Sequence, residues 1–158
     1  MRRPTMDRAG ARGCLDIEDW QLDGLIDEGS LGWVLDIASP GAERRELRFL
    51  TAAVAAYRRG KEEGRMQNAE AAQSPSSFCI LPSALPQVME LLFGPEVPLV
   101  RAQRIYRAFG CKPAHFYDLV AEGALPLARG SAQRPGPGGG GVVAWATLKA
   151  FVLKRRVA

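Results

Sequence analysis

The segment that decides the fold is PLVRAQRIYRAFGCKPAHFYDLVAEGALPL, which occupies residues 98–127. Apolar residues recur at helical spacing over 98–109 and again over 115–122, which predicts two short helices. Gly110 follows the first helix and Gly123 follows the second, where a left-handed helix cap favours glycine. Two short helices joined by a turn of about four residues that contains a glycine are typical of a helix-turn-helix.

The residues after these helices predict a hairpin and a closing helix. Residues 125–129 read as extended, and the glycine-rich run over 130–141 predicts a flexible loop, because such a run cannot bury a core. Residues 142–144 predict a returning strand, and residues 145–156 predict a helix with one apolar face. The predicted order of elements is therefore helix, turn, helix, strand, wing, strand, helix.

The chain contains an internal repeat at an offset of 94 residues. The tract LIDEGSL at 25–31 matches LVAEGAL at 119–125 in four of seven positions. The same offset pairs Val54 with Leu148. We therefore predict a duplicated supersecondary unit whose two copies have diverged in charge.

The first copy keeps the later elements of this unit. A helix is predicted over 17–28, and a return strand over 46–50 leads into a further helix that starts at Thr51. The stretch over 6–14 contains two glycines and few apolar residues, so no convincing opening helix is predicted there.

Together these patterns predict a mainly α-helical fold with small β-hairpins, built as two winged helix-turn-helix-like units in tandem. The polar tract QSPSS at 73–77 separates the two copies. The predicted domains are a basic flexible arm over 1–13, a diverged acidic winged-helix-like unit over 14–72, a linker over 73–83, and a winged helix-turn-helix unit with an extra leading helix over 84–158.

Charge is placed unevenly along the chain, whose formal net charge is +4. Residues 99–158 carry ten bases and two acids, a net charge of +8, whereas residues 14–50 carry nine acids and three bases, a net charge of −6. A cationic segment of this kind matches a polyanion, since neutralising phosphates releases counterions. The charge pattern therefore favours double-stranded DNA as a partner of the second copy only.

Residues 99–156 resemble the winged helix-turn-helix domains of the excisionase and MerR-like group. The resemblance rests on the apolar and turn residues of both helices and on LVAEGALP at 119–126, which is similar to LIERGELP in that group. The sequence departs from the group in Pro113-Ala114, where Ser or Thr is common, and in its long glycine-rich wing. The resemblance implies that the second helix enters the DNA major groove. The first copy resembles the group more weakly.

The resemblance assigns DNA contacts to side chains around the second helix and the wing. Lys112 is a donor for guanine or phosphate, and Ala114 is small enough to meet a thymine methyl. Arg129 and Arg134 flank the wing, within reach of phosphate or the minor groove. The predicted DNA-binding residues are Arg101, Arg104, Lys112, Ala114, His115, Tyr117, Arg129, Arg134, Lys154 and Arg155.

Each of these contacts has a simpler alternative. Arg101 and Arg104 are compatible with a solvated helix face, and His115 is compatible with an exposed position that touches no base. Lys154 and Arg155 are equally compatible with a cation cluster that stabilises a helix C-terminus.

The corresponding helix of the first copy presents acids where the second presents bases. Its carboxylates are Asp16, Glu18, Asp19 and Asp23. These groups cannot approach phosphates without a large electrostatic cost. We therefore expect that the first copy does not read DNA, and that it mediates homodimerisation or binds a protein partner.

The chain offers no pattern for an enzyme, a cofactor or a membrane segment. The glycine run at 136–141 lacks the Lys-Ser/Thr of a P-loop, and His115 is the only histidine. The three cysteines form no CxxC pair, and neither a long apolar run nor a secretory signal is present. We expect a non-enzymatic, cytoplasmic and nucleoid-associated protein without cofactor or metal.

Two functions remain open from the sequence. The first is a sequence-specific DNA-binding protein that acts as a transcriptional regulator or as an excisionase-like factor in recombination. The second is an adaptor or assembly subunit, of the phage-packaging kind, that uses the winged-helix fold for protein contacts. Salt-sensitive DNA binding distinguishes the first function from the second.

Overall fold

A computed structural model describes residues 3–67, 85–128 and 141–157. In these residues the chain is mixed α/β, with seven helices and two small antiparallel sheets. The first half contains β1 (Thr5–Met6), α1 (Arg8–Leu15), α2 (Asp19–Asp27), β2 (Val34–Asp36), β3 (Leu47–Leu50) and α3 (Thr51–Gln67). The second half contains α4 (Leu85–Phe93), β4 (Leu99–Arg101), α5 (Ala102–Ala108), α6 (Pro113–Ala121), β5 (Val142–Ala144) and α7 (Trp145–Lys154). None of the described helices is long and apolar enough to cross a membrane.

The two halves repeat one arrangement of elements at the spacing of the sequence repeat. Three pairs of helices start 94 residues apart: α1 and α5 at 8 and 102, α2 and α6 at 19 and 113, and α3 and α7 at 51 and 145. The strand register is repeated too, since Thr5 lies opposite Leu50 in one sheet and Leu99 lies opposite Ala144 in the other. The halves therefore share three helices and one pair of strands at the same spacing, whereas β2 of the first half and α4 of the second half have no counterpart among the described residues.

The opening elements of the first half correct the sequence prediction. Residues 5–15 form β1 and α1, where the sequence predicts a flexible arm over 1–13 and no opening helix. The Asp7 side chain caps α1 by accepting from the Gly10 backbone N–H at 2.8 Å. Ala11 and Leu15 are buried. The cap and this buried face outweigh the low helix propensity of the glycines.

The partner of the returning strand also differs from the prediction. Residues 99–101 form β4, which pairs with β5 and places Val100 opposite Val143. Alternate burial in β4, with Val100 inside and its neighbours outside, is the two-residue period of a strand. The predicted partner over 125–129 keeps one backbone hydrogen bond, from the Ala128 N–H to the Val142 carbonyl at 2.8 Å. The predicted loop residues 129–140 lie outside the described residues.

One buried cluster joins the two halves. Its centre is aromatic: the Phe109 ring lies 5.5 Å from Phe93 and 5.8 Å from Phe151. Trp33 and Leu50 of the first half belong to the same cluster. The apolar face of α4 is buried there as well. The halves therefore share a hydrophobic core, and the first half has in addition a smaller cluster of its own.

Backbone and side-chain hydrogen bonds add to this shared core. The last carbonyls of α5 have no partner within their helix, and the first half supplies donors for them. Thr5 Oγ1 donates to the Ala108 carbonyl at 2.6 Å, and Arg48 Nε donates to the Phe109 carbonyl at 2.7 Å. After α7 the chain runs beside β2, where the Val157 N–H donates to the Val34 carbonyl at 2.8 Å.

Substituting Thr5 with valine is expected to lower the free energy of unfolding by about 1–3 kcal/mol, because the buried Ala108 carbonyl loses its donor. Valine has nearly the same shape, so the core packing is kept. Urea unfolding followed by circular dichroism measures the change. The control is Thr5→Ser, which keeps the hydroxyl; a loss for Thr5→Ser equal to that for Thr5→Val would contradict a role of the hydrogen bond.

Candidate nucleic-acid interface

The turn between α5 and α6 sets the direction of the second helix. Gly110 adopts φ 64°, which favours glycine. Lys112 is the N-cap of α6 in an extended conformation, and Pro113 occupies the first turn. Phe116 and Leu119 are fully buried on the inner side of α6. This packing leaves Lys112, Ala114 and Asp118 exposed on the outer side.

A stripe of arginines runs along β4 and α5. Arg101, Arg104 and Arg107 are three residues apart and exposed, and they form no ion pair with any described residue. The Arg104 guanidinium packs over Gly94, where a Cβ atom would clash with it. We call Arg101, Arg104, Arg107 and Lys112 the basic surface. Four exposed cations thus lie on adjoining elements, and none of them forms an ion pair within the part of the chain that the structure describes.

His115 faces the first half and not the outer side of α6. Its Nε2 donates to the Ile37 carbonyl at 2.7 Å and lies 3.5 Å from Glu46 Oε2. The side chain is 19% exposed. This half-buried position differs from the alternative of an exposed helix residue, and the predicted base contact stays a prediction. The shared core places the loop after β2 against the first turn of α6. His115 of α6 therefore forms a hydrogen bond with Ile37 in this loop.

Arg155 is likewise engaged by the first half. Its Nη1 donates to the Ala38 carbonyl at 2.9 Å, and its guanidinium lies 5.4 Å from the centre of the Phe151 ring. Its own carbonyl accepts from the Asp36 N–H at 2.8 Å. Arg155 is also the C-cap residue of α7, the position of the helix-end alternative, and the phosphate contact stays a prediction.

The predicted contact residues therefore fall into three groups. Exposed on the second half are Arg101, Arg104, Lys112, Ala114 and Lys154. Half-buried are His115, Tyr117 and Arg155. Tyr117 packs against the core, with its ring 5.2 Å from that of Phe116. Arg129 and Arg134 lie outside the described residues.

Cys111 in the turn before α6 is held in its protonated form. Burial is the main cause that raises the pKa of its thiol, to about 11, and the nearby Arg48 opposes this shift. The thiolate is the nucleophilic form of cysteine, so a thiol with this pKa is a poor nucleophile at neutral pH. Cys111 is partly buried and packs against the shared cluster.

In the first half, arginines of α1 pair with the acids of α2. Arg8 donates to Asp19 at 2.9 Å and to Asp23 at 2.8 Å, and Arg12 donates to Asp19 at 2.7 Å. The hydrogen bond from Arg8 lowers the pKa of Asp19. Glu18 and Gln21 form a capping box at the start of α2. Several acids that the sequence predicts to be free on one helix face therefore form ion pairs or helix caps within the first half.

Trp20 is a feature that the sequence interpretation missed. It lies on α2 and is 73% exposed, more than any other large apolar side chain in the described residues. It stands 94 residues before Ala114, at the equivalent position of the repeat. Because Ala114 is predicted to face outward on its helix, the offset of 94 residues predicts that Trp20 faces outward too.

Comparison with known proteins finds no relative of this chain. No family model, no curated protein and no solved structure matches it. The chain itself contains two halves that each include the order strand, helix, helix, strand, helix, with a basic surface on the second half.

Proposed function

We propose that this chain is a non-enzymatic, sequence-specific DNA-binding protein, with its second half acting as a winged helix-turn-helix unit. The biological role that fits is a transcriptional regulator or an excisionase-like recombination factor. The observation that carries the proposal is the basic surface of α5 and α6, whose cations are exposed and lack ion-pair partners among the described residues. A surface of this kind attracts a polyanion.

The arrangement of the two helices suits a duplex. In helix-turn-helix proteins the second helix lies in the major groove and the first helix crosses the backbone. In this proposal the arginine stripe on β4 and α5 contacts phosphates, which fix register and orientation. Lys112 and Ala114 at the start of α6 are in position for base edges, and Asp118 can accept from a cytosine amino group.

In this proposal the first half holds α6 in place but does not contact the DNA. His115 ties the first turn of α6 to the Ile37 carbonyl, which restrains the helix that would enter the groove. The acids of α2 would be repelled by phosphates even though Arg8 pairs with two of them. We therefore assign DNA contact to the second half only.

The test is fluorescence anisotropy of a labelled mixed-sequence duplex titrated with the full chain over a salt series. We expect the logarithm of the binding constant to fall linearly with the logarithm of salt concentration, by about 0.9 per phosphate neutralised. Arg104→Glu and Lys112→Glu should each weaken binding and lower this slope by about 1. The control is Arg59→Glu, a charge reversal at another exposed position, on α3.

Two outcomes would overturn the proposal. One is no binding of the duplex even at low salt. The other is an equal loss of affinity in Arg59→Glu and Arg104→Glu. That result would mean that affinity depends on the net charge of the chain and not on a particular surface.

A second candidate function is an adaptor or assembly subunit. Trp20 favours it, because an exposed tryptophan is typical of the centre of a protein interface. In that case a stoichiometric protein complex should form that is insensitive to Lys112→Glu and is lost on Trp20→Ala.

A further inference from the structure

The outer side of α2 carries an aromatic side chain within an acidic environment. Trp20 is 73% exposed, and Asp16, Asp19 and Asp23 lie within four residues of it in sequence and are exposed too. Gly24 follows one helical turn after Trp20, and the space where its side chain would stand is open. We call this side of α2 the Trp20 surface. It combines a flat apolar ring, negative charge and room for close approach.

The charge of this surface decides what can cover it. Residues 16–28 contain six acids and no base. Four arginines oppose them: Arg8 and Arg12 in ion pairs, and Arg44 and Arg45 around a cavity shared with Asp23 and Asp27. Six acids against four bases leave a net charge of −2. Two such surfaces repel each other, so a symmetric contact of the Trp20 surface with itself is disfavoured.

A cationic surface is the complement of the Trp20 surface. A guanidinium over an indole ring gains a cation–π attraction, and the surrounding carboxylates add ion pairs. The chain itself carries such a surface along β4 and α5, where Arg101, Arg104 and Arg107 are exposed and Leu99 of β4 is 52% exposed. None of these arginines forms an ion pair with a described residue of the same chain.

We propose that the Trp20 surface of one copy docks on the basic surface of a second copy. The contact joins two different faces, so each added copy leaves one face of each kind free at the ends. Such a head-to-tail contact builds open chains or closed rings instead of a symmetric dimer. This inference goes beyond the proposed function and does not require it, although both use the arginines of α5.

The test is sedimentation velocity of the full chain over a range of protein concentrations at low and at high salt. We expect the mass of the wild-type protein to grow with concentration at low salt and to fall at high salt, because salt screens the charge pairs. Trp20→Ala and Arg104→Glu should each give monomers. Asp16→Asn, which removes a charge at a left-handed position that asparagine tolerates, should weaken assembly. The control is Leu91→Ala, a truncation of another exposed apolar side chain.

A mixture of the two variants makes the test specific. Trp20→Ala keeps its basic surface and Arg104→Glu keeps its Trp20 surface, so the equimolar mixture has one intact contact. We expect this mixture to form dimers and to stop there. A wild-type protein that stays monomeric at every concentration, or an assembly that survives Trp20→Ala, would overturn the inference.

Short duplex DNA separates this inference from the proposed function. If the chain both binds DNA and docks head to tail, DNA dissociates the assembly, because the phosphates compete for the arginines of α5. An assembly that forms and is unaffected by DNA supports head-to-tail docking and counts against the DNA proposal. A chain that stays monomeric and binds DNA supports the DNA proposal and counts against head-to-tail docking.

Discussion

Replacing Phe109 with alanine is expected to lower the free energy of unfolding by about 3–5 kcal/mol. Phe109 is fully buried, and its ring contacts Phe93 and Phe151 edge-on or tilted. Truncation removes these ring contacts and leaves a cavity at the centre of the shared cluster. A loss of this size is a large fraction of the stability of an ordinary domain.

The same substitution reports whether the two halves unfold together. Trp33 of the first half and Trp145 of the second half belong to the cluster that contains Phe109. Variants that keep only one of these two tryptophans, with Trp20 replaced, allow each half to be followed by fluorescence. Within each variant, we expect the fluorescence midpoint in urea to coincide with the midpoint from circular dichroism, which follows both halves, with and without Phe109→Ala.

The control for this prediction is Phe109→Leu, which keeps most of the apolar volume and should cost less than Phe109→Ala. Two separate transitions, with the first half unaffected by Phe109→Ala, would contradict a shared core. That result would mean that the two halves are independent units joined by a linker, as the sequence predicts.

In the second half the sequence locates the two helices of the turn and the closing helix, but the helix predicted over 98–109 begins only at Ala102, because residues 99–101 form the strand β4. Apolar spacing and the glycines at 110 and 123 locate α5 and α6, since both signals act within a few residues. The offset of 94 carries this information to the first half, where α2 begins near its predicted position. The winged-helix interpretation of each unit remains a proposal.

Contacts between the halves could not be predicted, because their partners are far apart in sequence. The partners of Thr5 and Arg48 lie 103 and 61 residues away. His115 binds a carbonyl 78 residues away, so its helical position alone gave no indication of it. A local pattern describes which side of a helix is apolar, but it does not show what covers the other side.

Electrostatic pairing was missed for the same reason. Arg8 is part of a basic run in the sequence, and Asp19 and Asp23 are part of an acidic run. The strand and helix at the start of the first half bring them together, so each run compensates the other. In the second half the stripe at Arg101 and Arg104 has no such acids opposite it among the described residues. The first half therefore pairs part of its acids internally and stays acidic around α2, whereas the arginine stripe of the second half has no ion-pair partner among the described residues.

Replacing Trp33 with alanine is expected to cost about 3–5 kcal/mol as well. Trp33 is fully buried in the shared cluster, and the guanidinium of Arg156 lies 4.7 Å from the centre of its ring. Truncation opens a cavity next to β2 and removes the surface against which the end of the chain packs. The measurement is urea unfolding of Trp33→Ala followed by circular dichroism.

Trp33→Phe separates the packing of the ring from the chemistry of the indole. The Trp33 Nε1 atom is buried and has no hydrogen-bond partner among the described residues, which destabilises the folded chain. Phenylalanine keeps an aromatic face for Arg156 and removes this unsatisfied donor, so part of the lost packing is offset. We expect a cost below about 1.5 kcal/mol for Trp33→Phe. A cost equal to that of Trp33→Ala would instead mean that the indole N–H is satisfied in solution, and that the junction of the halves depends on this hydrogen bond.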